Sequence, residues 1–247
     1  MEENQTKRVY GFDVLRGIAV ISMVAFHLCY DLTNFSNNTL PWFSGAFEDI
    51  WRNSISWTFL FIAGCMVCYS KNNIKRSGKL LILAFTIYGV TSIASLDTPI
   101  SFGIIYCLGA STGIAGILQY TKIKVQGFKL SVLLLLIFIC LLHLNEGHIG
   151  LFGVQYALPY QLYSTPYLNW LGLPGPGFTS GDYYPVLPYS LIYFAGWSFC
   201  TSWQTTGIPE WFSKLRCKPL EHIGKHALLI YVLHQPLLLG LLQLINS

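Results

Sequence analysis

Charge is what this sequence has least of. Only 11% of its 247 residues are Asp, Glu, Lys or Arg, against roughly 25% in an ordinary soluble domain. So few charges do not solvate a globular surface of this size, and a soluble enzyme fits poorly. A net charge of +4 resting on 15 basic residues is too sparse for a nucleic-acid surface, and no nucleic-acid partner is expected. The seven cysteines are odd in number. Most of them (Cys29, Cys65, Cys68, Cys107, Cys140, Cys200) sit inside apolar runs, so they read as free thiols packed among helices or in lipid, which excludes a disulfide scaffold. Low-complexity tracts and internal repeats are missing. So are H-E-x-x-H, a P-loop and G-x-S-x-G. His143, His148, His222 and His226 have no partners at metal-ligand spacing, and no catalytic metal is expected. The 22 glycines and 11 prolines punctuate long apolar runs, which excludes disorder.

What is there is apolar. The hydrophobic fraction is 53% and the mean hydropathy +0.50. The class this leaves is all-α: a polytopic membrane helix bundle. The apolar segments number about seven, where each span needs about 20 residues. They run over Phe12–Leu32, Asn53–Tyr69, Leu80–Leu96, Ile100–Tyr120, Leu130–Leu144, Val186–Trp203 and His226–Ile245. The first reads as a retained helix, because Asp13 and Arg16 interrupt it and no small-x-small cleavage site follows.

The basic residues set the orientation. Lys7 and Arg8 precede the first segment. Lys71, Lys75, Arg76 and Lys79 follow the second, Lys122, Lys124 and Lys129 follow the fourth, and Lys214, Arg216, Lys218 and Lys225 follow the sixth. All but Arg16 and Arg52 therefore fall on one side. By the positive-inside rule the N-terminus is cytoplasmic and the C-terminus outside. Asp31, Glu48, Asp49, Asp97, Glu146 and Asp182 fall on the outer side. A single transmembrane domain is expected over residues 1–247, with a long outer loop at about 145–185. That loop is rich in Tyr and Trp, which suits an interfacial belt or stacking against a sugar-like substrate.

The first segment carries the most informative pattern. Asp13, Arg16, His27 and Asp31 are ionisable groups in one membrane helix, where such groups normally face a bundle interior or a wet cavity. At about 100° per residue, Arg16 and His27 differ by only about 20° around the axis, and Asp13 and Asp31 each lie about 60° from Arg16. All four share one stripe. Arg16 and His27 are about 16 Å apart along the axis. Asp13 and Arg16, at i, i+3, can neutralise each other or simply cap the helix end. His27 and Asp31, at i, i+4, suit a carboxylate-oriented imidazole acting as general base, although Asp31 alone also suits the outer headgroups.

These residues resemble the transmembrane acyltransferase superfamily, whose pattern Arg16-x10-His27 matches. More closely, the chain is similar to the heparan-α-glucosaminide N-acetyltransferase catalytic domain family. The match runs through Asp13-Val-Leu-Arg16-Gly-Ile-Ala, Phe26-His27 and Tyr30-Asp31-Leu. It continues in Phe102-Gly-Ile-Ile-Tyr106-Cys107-Leu-Gly109, in Leu168-Asn169-Trp170-Leu-Gly172 and in Gly181-Asp182-Tyr183-Tyr184-Pro185-Val-Leu-Pro188. It ends in Ile223-Gly224-Lys225-His226 through Tyr231-Val-Leu-His234-Gln235-Pro236, and so covers essentially the whole chain. The sequence departs from the family where Tyr106 replaces a usual His, and where Tyr189-Ser190-Leu191 stands for Trp-Leu-Gly.

The resemblance implies transfer of an acetyl or other acyl group from cytoplasmic acyl-CoA, acetyl-CoA in the first place, to an amine or hydroxyl of an extracytoplasmic glycan or amino-sugar acceptor. Membrane lipid surrounds such an enzyme, and the family favours a homodimer. In this reading His27 is the base, oriented by Asp31, or carries the acyl group as an acyl-imidazole. Arg16 meets the donor's phosphates or pairs with Asp13. An oxyanion needs donors, and His234, Gln235, Asn169 and Tyr183 are the candidates. Asp182 suits an acceptor amine or a solvated loop position, and Tyr106 lies where acceptor choice is expected to be set. The basic loop Lys71–Lys79 suits donor phosphates, although orientation alone accounts for it. Gly109 and Gly113 read as a close helix contact. The polar stripe by itself also suits a small transporter or channel, the alternative from another class; the internal pseudo-symmetry that would favour it is missing.

Overall fold

The apolar segments become helices because no other backbone state satisfies its own polar groups inside hydrocarbon. The computed structural model describes residues 8–35, 40–94, 98–151 and 153–246; Lys7, Asp97 and the end of the third apolar segment lie outside these. Helix α1 spans Tyr10–Phe35, α2 Gly45–Cys65, α3 Asn73–Ala94, α4 Ile104–Tyr120, α5 Phe128–Cys140, α6 Val186–Thr206, α7 Glu210–Ser213, α8 Lys218–Lys225 and α9 Ala227–Asn246. A helix overlaps each of the apolar segments read from the sequence. Among the described residues four helical stretches are both long and apolar enough to cross a membrane: Tyr10–Phe35, Asn73–Ala94, Phe128–Glu146 and Ala227–Leu244. The protein is thus mostly helical, with apolar side chains such as Ile82, Phe85, Val90 and Ile93 of α3 largely exposed, a surface that suits lipid and not water.

Contacts divide the chain into two compact units. The first comprises residues 1–59 and 207–247, the second residues 60–206. In the first unit α1 packs against α7, α8 and α9. Small residues let the backbones approach: a side chain at Gly17 would run into the Leu220 carbonyl, and one at Gly224 into the Asp13 carbonyl. The start of α2 is tied to α1 by the Trp51 indole, which donates to Ser22 Oγ at 2.8 Å. Met23, Phe26, Phe43 and Ile55 form the buried apolar cluster there.

In the second unit α3 packs on α4, and α6 packs on α4 and α5. Ser77 Oγ donates to the Gly109 carbonyl at 2.7 Å, and a side chain at Gly113 would meet Ser77 Oγ at 2.8 Å, the close approach that the glycine spacing predicts. Ser131 Oγ donates to the Ala195 carbonyl at 2.9 Å, and the Tyr193 and Thr112 hydroxyls bond at 2.9 Å. All seven cysteines are free thiols.

The segment 145–185 is folded. An antiparallel hairpin pairs β1, His148–Leu151, with β2, Val154–Ala157, and two 3-10 turns follow at Tyr160–Tyr163 and Pro166–Leu171. The hairpin is the one element type that helical periodicity gives no hint of.

Candidate functional site

The N-terminal end of the α1 stripe is an ion-pair knot in the first unit. Asp13 is buried, and its Oδ2 accepts from Arg8 Nε and Nη2 at 2.8 and 2.7 Å, while its Oδ1 faces Arg16 Nη1 at 3.3 Å. Arg16 also donates to the Gly224 carbonyl of α8 at 3.2 Å. Of the two roles expected for Arg16, the structure displays the pairing with Asp13. Arg8 was legible only as an orienting charge, because an i, i+5 contact from outside the helix has no periodic signature.

About three turns beyond Arg16 on α1, a second polar group is assembled with α9. The rings of His27 and His234 are in contact, with centroids 4.8 Å apart at 59°, and the Phe26 ring stands edge-on to His27 at 5.7 Å. Asp31 has no exposed surface. Its carboxylate oxygens accept from Gln235 Nε2 at 2.9 and 3.1 Å. Two pairings therefore run between α1 and α9, histidine against histidine and amide against carboxylate. His234 is only 8% exposed, and its Nδ1 lies 2.7 Å from the Tyr231 carbonyl one turn back. Pro236 follows within the same helix. A buried carboxylate and two imidazoles in otherwise apolar helices are costly groups that membrane proteins keep for function.

The remaining predicted residues belong to the second unit. Asp182 Oδ2 accepts from the Ile104 backbone N–H at 3.0 Å, at the start of α4, where an anion also complements the helix dipole. Gly103 is required beside it, since a side chain there would meet Asp182 Oδ2 at 2.7 Å. Ser180 Oγ donates to the Ser101 carbonyl at 2.8 Å, and the Tyr184 N–H to the Phe102 carbonyl at 3.0 Å. The Gly-Asp-Tyr-Tyr stretch therefore fastens the loop to the α4 entrance, and Asp182 has a capping partner as well as any ligand. Asn169 is buried. Its Oδ1 accepts from the Gly175 N–H at 2.8 Å, and its carbonyl accepts from the Tyr183 hydroxyl at 2.6 Å. Burial, with Tyr189 and Tyr163 close by, pushes the Tyr183 phenol above its usual range. Tyr106 stacks edge-on to Phe102 at 5.1 Å, Phe102 neighbours Phe178 at 6.2 Å, and Phe178 meets Tyr183 at 5.0 Å. Aromatic clustering of this kind was visible in composition; the hydrogen bonds that shape it were not. Among the described residues no group of three or more His, Cys, Asp or Glu side chains is arranged to hold a metal ion.

The first unit thus brings together Asp13 with Arg16, and His27 with His234, Gln235 and Asp31. The second brings Asn169, Tyr183 and, through Phe102 and Phe178, Tyr106. No curated protein and no solved structure gives a significant match to the chain. One family model does: Heparan-alpha-glucosaminide N-acetyltransferase, catalytic, matches residues 8–236. That match takes in both ends of the α1 stripe, the fastened loop and the His234-Gln235 turn of α9, and over nearly its whole length the chain belongs to this acetyltransferase family.

Proposed function

We propose that this protein is an integral membrane acyltransferase that moves an acetyl group from acyl-CoA at the cytoplasmic face to an amine or hydroxyl of an extracytoplasmic sugar-like acceptor. His27 is its general base or its transient acyl carrier. The observation that carries this reading is the contact between His27 and His234 beside a carboxylate buried to 0% exposure and bound by Gln235. Nothing in helix packing alone calls for that set of groups. A thioester is already activated, so the protein's task is to hold donor and acceptor together and to manage one proton. General acid–base help of this kind contributes roughly 10²–10⁴-fold.

The orientation follows the basic residues. The N-terminal end of α1 carries Arg8 and Arg16 with Asp13, and α8 with its approach carries Lys214, Arg216, Lys218 and Lys225. This end suits the phosphates of coenzyme A. His27 sits about 16 Å further along the helix, a distance suited to a donor whose thioester arm reaches inward.

Purified protein incubated with labelled acetyl-CoA is expected to consume the donor and transfer label to a glucosamine probe or, slowly, to water. His27→Ala lowers that rate about 100-fold or more while coenzyme A still binds. Donor binding without turnover in the wild-type protein would replace the enzyme by a carrier of the donor.

A further inference from the structure

Two acceptor atoms are left over in the polar group of the first unit. The Tyr231 carbonyl can only accept, so the proton of the neutral His234 ring sits on Nδ1, and Nε2 is a lone pair. The Asp31 carboxylate also only accepts, so the Gln235 amide turns its NH2 toward it, and Oε1 points elsewhere. Both His234 Nε2 and Gln235 Oε1 are buried and have no hydrogen-bond partner. They are adjacent residues on one turn of α9, and the ring that carries the first is against His27. Buried polar atoms are almost always partnered, so an orphaned pair asks for a ligand that supplies hydrogens. Sequence alone made His234 and Gln235 donors to an oxyanion; the hydrogen-bond assignments make these two atoms acceptors.

We propose that His234 Nε2 is the atom that takes the proton from the attacking amine or hydroxyl, which leaves His27 the role of acyl carrier of its two, and that Gln235 Oε1 holds and aims that group. The assignment rests on the acyltransferase reading and divides the labour within it. The acceptor's nitrogen or oxygen forms a bond to the acyl carbon. A ring nitrogen of His27 has first taken the acyl group from the thioester, and the sulfur of coenzyme A has left with the His27 ring proton as the free thiol. The bond from the acyl carbon to that His27 nitrogen then breaks, the electron pair leaves with the nitrogen, and the acceptor's proton goes to Nε2. His234 then returns that proton to the departing His27 nitrogen and is neutral again. Gln235 is a positioning residue with two ends: one fixes Asp31 on α1, the other receives the substrate.

The test measures coenzyme A thiol release from acetyl-CoA by the full chain in detergent, with D-glucosamine as the amine probe and with water alone. His234→Ala is expected to bind coenzyme A as wild type does and to turn over about 100-fold more slowly. Added imidazole should restore about tenfold or more of the loss, a rescue that a packing defect would not give. His234→Asn keeps a hydrogen for the Tyr231 carbonyl but has no base, and should be as slow as the alanine variant. If the alanine variant fails to bind coenzyme A, His234→Asn is the variant read. Turnover within twofold of wild type in a variant that binds donor, or loss without imidazole rescue, overturns the role of His234 and leaves the enzyme reading intact. A wild-type protein that binds acetyl-CoA and never releases thiol overturns both.

Discussion

At the scale of single residues, the most constrained contact is between Asp31 and Gln235. A carboxylate taken fully out of water is costly unless its oxygens are occupied, and the Gln235 amide occupies both. Exchanging that amide for a carboxylate sets two like charges against each other, which repel unless one takes up a proton at a cost in pKa. Gln235→Glu should therefore lower stability in detergent by about 3 kcal/mol, the scale of breaking a buried charge interaction. The double variant Asp31→Asn with Gln235→Glu restores one amide and one carboxylate with the helices exchanged. It should recover more than half of the loss, as read by thermal unfolding of the two single variants and the double. An additive double variant would mean that the two side chains do not sense one another.

At the scale of elements, the position of that contact depends on how closely α8 approaches α1. Gly224 lies against the Asp13 carbonyl and Gly17 against Leu220, and Arg16 bridges the same pair of helices through the Gly224 carbonyl. A methyl group at Gly224 has no room, whereas one at Gly240 of α9 meets nothing within 4 Å. The same substitution should then have opposite signs. Gly224→Ala should destabilise by about 1–3 kcal/mol, and Gly240→Ala should be neutral or stabilising by up to about 1 kcal/mol from helix propensity. Equal melting temperatures for the two variants would remove the close crossing. The crossing also explains what was legible beforehand. The stripe of Asp13, Arg16, His27 and Asp31 follows from one helix's period, so a single sequence displays it. Which partner faces each member depends on the register between α1 and α9 and between α1 and α8, and a period carries no register. Hence the ion pair of Asp13 with Arg16 was readable, whereas Asp31 with Gln235 was not. Likewise, Asp182 as a cap on α4 needed the loop's return path, and the hairpin at 148–157 lies in a segment whose composition suggests only aromatic surface.

At the scale of the whole molecule, the number of membrane crossings is the quantity on which donor and acceptor access depend. Four helical stretches meet the length and hydropathy of a span outright. Helices α2 and α6 are each 21 residues long but do not meet the combined measure of hydropathy and charge, and α4 has only 17 residues, the lower end of what crosses about 30 Å of hydrocarbon. If only α1, α3, α5 and α9 crossed, a single crossing would separate Arg8 from Lys71, Lys75, Arg76 and Lys79, and these basic groups would sit on opposite faces. The positive-inside rule disfavours that arrangement. With α2, α4 and α6 crossing as well, two crossings separate each basic group from the next, and all of them share the cytoplasmic face. The two counts also differ in parity. Four crossings return the C-terminus to the side of the N-terminus, and about seven place it opposite. In intact cells a membrane-impermeant maleimide should label a cysteine introduced at Gln161, in the exposed part of the long loop, and one added after Ser247. A cysteine at Lys124 should react only after permeabilisation. Protection of the C-terminal cysteine would overturn the odd number of crossings, and labelling of Lys124→Cys in intact cells would overturn the orientation. With the orientation reversed, His27 would no longer lie in the outer half of the membrane, and the acceptor would have to approach from the cytoplasm.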